Sequence, residues 1–250
     1  MREQEKQLAL NFEKLGATNI ALALVEAFTS PSMQHASLID VLLEASDNEL
    51  AQQKNSRAQR LLKMAKLPNT MANLDELEYR PERNLDKMTI DRLSTCEYIR
   101  THANTCIIGA SWTGKSFLSK ALACRACENG YRTKVIAFPL PMRELAHLQK
   151  VDTPKYEKRL RYYSRFPLLV IDEWLCKQPE KQWTLILLEL MENRYDETST
   201  IICTQLPAEN WPKVIGNVAL GRAILGRVTA SSYTIRLEGP DMRKNHSAKP

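Results

Sequence analysis

Gly109, four further residues, and then Gly114-Lys115-Ser116 stand between the apolar run Cys106-Ile107-Ile108 and a helix-like pattern that begins at Phe117. Glycines at these two places let the backbone curl so that successive N–H groups point inward, and a helix that starts there adds the positive end of its dipole. That is a site for an anion. The spacing G-x-x-x-x-G-K-[ST] after a strand and before a helix is that of a phosphate loop. The stretch Gly109, Ala110, Ser111, Trp112, Thr113, Gly114, Lys115, Ser116 and Phe117 is therefore expected to hold ATP. Lys115 would reach the β and γ phosphates, and the Ser116 hydroxyl would join the shell of a Mg²⁺ ion. Trp112 is bulky for such a loop but falls at one of its unconstrained positions. The bland alternative is a strand-to-helix turn that binds nothing.

A second strand exit supplies carboxylates. Leu168 to Ile171 is an unbroken apolar run, as expected of a parallel strand buried on both faces, and it ends in Asp172-Glu173. Ligands of open α/β sheets bind outside the carboxyl ends of the strands. Asp172 suits the shell of the Mg²⁺ ion, and Glu173 suits polarisation of a water for attack on the γ-phosphate. The run "STIICTQLP" ends in Thr204 and Gln205, and an amide beside the carboxylates would orient that water; a turn before Pro207 is the other reading. Arg222 and Arg227 are five residues apart, about 140° round a helix, so they face different directions.

The elements that must position these groups follow from the pattern. Strands are expected at 105–108, 134–138, 167–171, 199–204 and 232–237, alternating with helices as in a parallel α/β sheet. Ahead of them, Leu8 to Leu67 reads as helical, with a break at Ser30-Pro31, an N-cap at Ser37 and a stop at Pro68. The expected organisation is an all-α domain at 1–68, a linker with a short helix at 69–100, and the nucleotide-binding domain at 101–250. Lys54, Arg57, Arg60, Lys63 and Lys66 follow at three-residue steps, each about 60° short of a turn, so these cations spiral round their helix.

The 250 residues, 44% hydrophobic and 26% charged, suffice for one sizeable core and a smaller domain. No stretch approaches the roughly 18 apolar residues of a membrane span, and "MREQEKQ" lacks a signal-peptide core. A cytoplasmic, membrane-free protein is expected. The six cysteines sit in apolar segments, as reduced thiols do; Cys124 and Cys127 have the spacing of half a zinc site, but no second pair completes it. The net charge of +6 is uneven: residues 1–70 hold eight Lys/Arg against eight Asp/Glu, residues 71–100 five against seven, and residues 101–250 twenty-two against fourteen. In "KYEKRLRYYSR", Lys155, Lys158, Arg159, Arg161 and Arg165 interleave with Tyr156, Tyr162 and Tyr163. Cations beside aromatics make a nucleic-acid surface, or equally a solvated helix face whose tyrosines pack on the sheet.

The order of these motifs, "LLVIDE", "TIICTQLP", "AILGRV" and "GPDMRK" after the phosphate loop, with "RAQRLLKMAKLP" and "LDELEYRPERNLDK" before it, resembles the IstB family, AAA+ helper ATPases of insertion-sequence transposons related to the helicase loader DnaC. The resemblance spans essentially the whole chain. It implies an AAA+ P-loop NTPase fold with a five-stranded parallel sheet flanked by helices, no C-terminal helical lid, and an all-α N-terminal domain that docks the cognate transposase. It also implies bacterial, ATP-dependent homo-oligomers on duplex DNA, with ATP sites shared between subunits. Residue by residue, Gly109, Gly114, Lys115 and Ser116 match Walker A, Asp172 and Glu173 match Walker B, Arg227 the arginine finger offered to the adjacent subunit, and Arg243 the sensor-two position. The family's nucleic-acid-contacting insertion corresponds to residues 140–165, so the resemblance favours DNA over a solvated face for the basic cluster. Where the family commonly has Ser-Asn, this chain has Thr204-Gln205, which keeps the amide with one more methylene. A helicase loader is the alternative function, and a DNA-binding scaffold with degenerate ATPase a third.

Overall fold

The structure is a computed structural model that describes residues 2–29, 37–67 and 72–242. It divides into two compact units, residues 1–58 and 59–250. The first is all-α. Its helices are α1 (Glu3–Lys14), α2 (Thr18–Thr29) and the larger part of α3 (Leu38–Ala65). α1 stops at Gly16, which takes φ 77° while the Ala17 N–H reaches back to the Phe12 carbonyl at 2.9 Å. Only glycine adopts that left-handed cap without strain. This break falls inside what reads as one helical stretch. Ala9, Ala21, Leu24, Val41 and Ala45 are buried in this unit. Glu49, 6% exposed, is held there by accepting the Asn19 N–H at 2.9 Å, which satisfies an orphan donor in the first turn of α2. The Ser37 carbonyl accepts the Val41 N–H at the start of α3. Lys54, Arg57, Arg60 and Lys63 are exposed along α3, and Lys66 follows it. The expected break at Ser30-Pro31 and stop at Pro68 lie outside the described residues.

Of the stretch expected as a linker, residues 72–100 carry packed structure, and the two units divide after residue 58. Two 3-10 turns, Leu74–Glu76 and Pro81–Arg83, precede α4 (Lys87–Ser94) and α5 (Glu97–Arg100). Leu74, Leu77, Leu85, Ile90, Leu93 and Tyr98 share one core with Leu118 and Leu122 from the helix after the phosphate loop. Apart from the buried Arg83, the dense charge of this stretch lies on its outer side and hides apolar pairs three residues apart, Leu74 with Leu77 and Ile90 with Leu93. Asp86 caps α4 by accepting the Met88 and Thr89 N–H groups.

The sheet consists of β1 (Asn104–Gly109), β2 (Thr133–Ala137), β3 (Leu168–Asp172), β4 (Ser199–Thr204) and β5 (Ser232–Leu237). All neighbours are parallel, in the order β2-β3-β4-β1-β5. Each strand lies within one residue of its expected limits. The helices between them are α6 (Lys115–Glu128), α7 (Pro139–Val151), α8 (Thr153–Ser164), α9 (Lys181–Glu192), α10 (Trp211–Ile215) and α11 (Val218–Thr229). Side chains alternate across the strands. Ile107, Leu168 and Val170 therefore enter the core under α6, while Cys106, Ile108, Leu169 and Ile171 enter the core under α7 to α11.

Arg194, 2% exposed, ties the second layer to the sheet. Its guanidinium donates to the carbonyls of Tyr163, Ser164 and Phe166, each at 3.0 Å, and to the Thr200 hydroxyl at 3.0 Å. The cation thus sits at the negative end of α8. Among the described residues no helix follows β5, and none is long and apolar enough to cross a membrane.

Candidate nucleotide site and basic helix

Because β1 lies between β4 and β5, the loop after it opens beside the exits of β4 and, one strand further, β3. Register fixes the neighbours: Ile108 pairs with Thr204, and Gly109 with Leu237. A Cβ on Gly109 would stand 2.4 Å from the Leu237 carbonyl oxygen, so a side chain there would force the loop off the sheet. Gly114, at φ 94°, makes the left-handed turn into α6. The loop is closed on itself by the Ala110 carbonyl, which accepts the Thr113 hydroxyl at 3.0 Å and the Lys115 ammonium at 2.6 Å. Burial lowers the pKa of Lys115, while Cys203 and Asp172 act to raise it.

A cavity of about 800 Å³ stands over this loop. Ser111, Trp112, Gly114, Lys115, Ser116 and Phe117 line it on one side, and Asp172, Glu173 and Gln205 on another. The structure thus brings the sequence-derived groups of three strand exits into one space. One Asp172 oxygen accepts the Glu173 N–H at 2.9 Å. Glu173 is exposed and takes φ 57°, a left-handed backbone that redirects the chain as it leaves β3. Thr204 and Gln205 divide their tasks. The buried Thr204 hydroxyl donates to the Trp174 carbonyl and accepts the Leu206 N–H, both at 3.0 Å, so it fastens the loop that carries Glu173. Gln205 is exposed at the cavity, with its amide free of hydrogen bonds among the described residues. Ser116 and Asp172 offer hard oxygen donors in the same cavity, which fits Mg²⁺.

Trp112 departs from expectation. Its φ of 70° is left-handed, so the position is constrained by the backbone after all, and the indole is 47% exposed. Its carbonyl accepts the Met242 N–H at 3.1 Å, which brings the chain after β5 to the loop. Arg243, the next residue, lies outside the described residues. The sequence reading also omits part of the wall: Glu76, Leu77, Glu78, Arg83 and Met242 line the cavity. The signal was the apolar spacing of Leu74 and Leu77, obscured by the charges around it.

Arg227 lacks any evident partner in the sequence, yet the structure gives it one. Its guanidinium lies 2.7 Å from the Glu192 carboxylate at the end of α9 and also donates to the Ala223 carbonyl at 3.0 Å. Sequence spacing could not reveal a contact across 35 residues. Arg222 is exposed, with no ion pair among the described residues.

The basic cluster forms α8, in the place expected of the 140–165 insertion. Its tyrosines divide between core and surface. Tyr156 and Tyr163 are buried in the second core and bond Glu189 and Glu144 through their hydroxyls, whereas Tyr162 is exposed. Burial, aided by Glu189, raises the Tyr156 pKa. Lys155 pairs with Asp152 at 2.7 Å, Arg161 with Glu157 at 3.8 Å, and Arg159 with Glu144 at 2.7 Å while lying over the Tyr162 and Tyr163 rings. Lys158 and Arg165 are exposed and form no ion pair among the described residues. At 100° per residue, Lys155, Lys158, Arg161 and Arg165 fall within about 120° of one another, opposite the buried tyrosines.

A putative insertion sequence ATP-binding protein of Sinorhizobium fredii is 32% identical over 238 residues, covering 94% of this chain and 95% of that protein. A second putative insertion sequence ATP-binding protein, from Bacillus thuringiensis subsp. berliner, is 24% identical over 252 residues and covers 100% and 99%. Among solved structures, DnaI is similar with TM-score 0.57 at 16% identity over 68% of this chain and 94% of that one. The DnaC helicase loader gives TM-score 0.56 at 16% identity over 67% and 97%. These two likenesses show the fold, that of P-loop AAA+ proteins. Residues 10–250 match the family described as IstB-like ATP binding protein, and the chain belongs to that family.

Proposed function

We propose that this protein is a Mg²⁺-dependent ATPase of transposition that oligomerises on duplex DNA and delivers a target to its cognate transposase. The observation that carries the reading is the single cavity in which Lys115, Asp172, Glu173 and Gln205 converge on a phosphate loop. Family membership, and the insertion-sequence names of the relatives, support transposition over helicase loading.

In this reading Lys115 exchanges the Ala110 carbonyl for the β and γ phosphates, and the N–H groups of the loop hold the triphosphate. Ser116 and Asp172 would hold Mg²⁺, which when bound neutralises phosphate charge. Glu173 polarises the attacking water, and Gln205 fixes its direction. Arg227 leaves Glu192 to stabilise the γ-phosphate charge on the adjacent subunit. The cationic face of α8 follows the DNA backbone, and the N-terminal unit docks the transposase.

The test combines assembly with partner choice. Sedimentation of the full chain with duplex DNA should show large complexes with ATP and not without it. The DNA-bound chain should retain the transposase encoded beside it and ignore the replicative helicase. Capture of the helicase alone would overturn the reading in favour of a loader.

A further inference from the structure

Arg83 is a cation in an unusual setting. It is 4% exposed, forms no ion pair among the described residues, and keeps its Nε–H without a partner. The two terminal nitrogens donate to main-chain carbonyls, one to Glu78 at 2.9 Å and the other to Thr113 of the phosphate loop at 3.2 Å. The second nitrogen stands so near the turn into α6 that a Cβ on Gly114 would meet it at 3.0 Å. Burial lowers the pKa of the guanidinium, with Glu78 only partly offsetting that.

The residue is also fastened from behind. Its carbonyl accepts the Glu238 N–H at 3.1 Å, and Gly239, at φ 96°, would bring a Cβ to 3.1 Å from the Glu82 carbonyl oxygen. The segment carrying Arg83 is therefore clamped between the end of β5 and the phosphate loop. Burying a guanidinium without a carboxylate is unfavourable, and carbonyl dipoles offset only part of that cost. A ligand bearing several negative charges, bound on the other side of Gly114, supplies the missing counter-charge.

We propose that Arg83 is a positioning residue that braces the phosphate loop through Thr113 and lends its charge to the phosphates, favouring nucleotides in the order of their negative charge. The proposal rests on the reading of the cavity as a nucleotide site. A staple that only shaped the loop for these nucleotides would need the guanidinium fork, so lysine could not replace it. A charge acting through a short, poorly solvated path must discriminate among them.

Titration of ATP, ADP and AMP against the full chain and its Arg83→Gln and Arg83→Lys variants separates the two roles, with the fold of each variant checked by thermal melting. Arg83→Gln should weaken ATP about tenfold and ADP about threefold while leaving AMP within about twofold. Arg83→Lys, which keeps the charge and loses the fork, should preserve the wild-type ratio of ATP to AMP affinity. Should the Gln variant fail to fold, the Lys variant still decides, because a ratio that falls with the charge retained overturns the proposal. An equal loss for all three nucleotides in Arg83→Gln, or no loss, overturns it too. A wild-type chain that bound none of the three would remove the nucleotide reading itself.

Discussion

The Arg227 guanidinium and the Glu192 carboxylate, 2.7 Å apart, form an ion pair within one chain. Glu192 is more than half exposed, and exposed pairs of this kind contribute only about 0.2–1 kcal/mol, so the contact holds Arg227 without trapping it. A neighbour's γ-phosphate would compete for the same guanidinium. Glu192→Gln should therefore lower the protein concentration needed for half-maximal ATP turnover on DNA, by up to about fivefold. The effect should vanish in an Arg227→Ala background, and its persistence there would mean that Glu192 acts elsewhere.

Shared sites make a second prediction. Arg227→Ala should bind ATP normally yet turn over little, and Lys115→Ala should lose binding. Mixing the two in equal amounts should return activity toward about a quarter of wild type, because that share of sites pairs an intact loop with a neighbour's arginine. No recovery, with co-assembly demonstrated by crosslinking, would count against a trans arginine.

The pairing pattern on α8 sharpens the expectation for DNA. Replacing Lys158, Arg161 and Arg165 by Gln removes up to three phosphate contacts, so the slope of log affinity against log salt should fall by up to about three units on duplex. Sequence preference should hardly change, since phosphate contacts do not read bases. Arg159→Gln, which breaks the Glu144 pair and the stacking on two tyrosines, should instead affect stability more than the slope. An unaltered slope in the triple variant would leave α8 as a solvated helix face.

Trp112 offers a test of backbone strain. A left-handed conformation costs a non-glycine residue about 1–2 kcal/mol, partly offset by the extra chain entropy that glycine brings to the unfolded state. Denaturant unfolding should therefore find Trp112→Gly more stable than Trp112→Ala by about 1 kcal/mol. Equal stability of the two would show that the φ of 70° carries no cost.

Much of the sheet was legible in the sequence, because a strand buried on both faces is spelled as an unbroken apolar run and both chemical motifs end such runs. Leu168 to Ile171 is the clearest case. Three things were hidden, each by a long-range contact or a backbone angle. The 69–100 segment looked like a linker because its leucines are few and spaced among charges, although Leu74, Leu77 and Leu93 are buried against the layer of α6. The ion pair of Arg227 joins α9 to α11, and helical periodicity carries no information about which helix a neighbouring one meets. Trp112 takes an angle that spacing motifs do not encode.

The central claim, that the cavity hydrolyses ATP with divided labour between loop and strand exit, is tested most directly by measuring phosphate release and ATP binding side by side with Mg²⁺ and duplex DNA. Wild type should release phosphate. Glu173→Gln should bind ATP within about twofold of wild type and hydrolyse it at least about a hundredfold more slowly, the loss expected when a general base is removed. Lys115→Ala should fail at binding. Absence of phosphate release from wild type above background, or an equal loss of ATP affinity in both variants, would contradict the account.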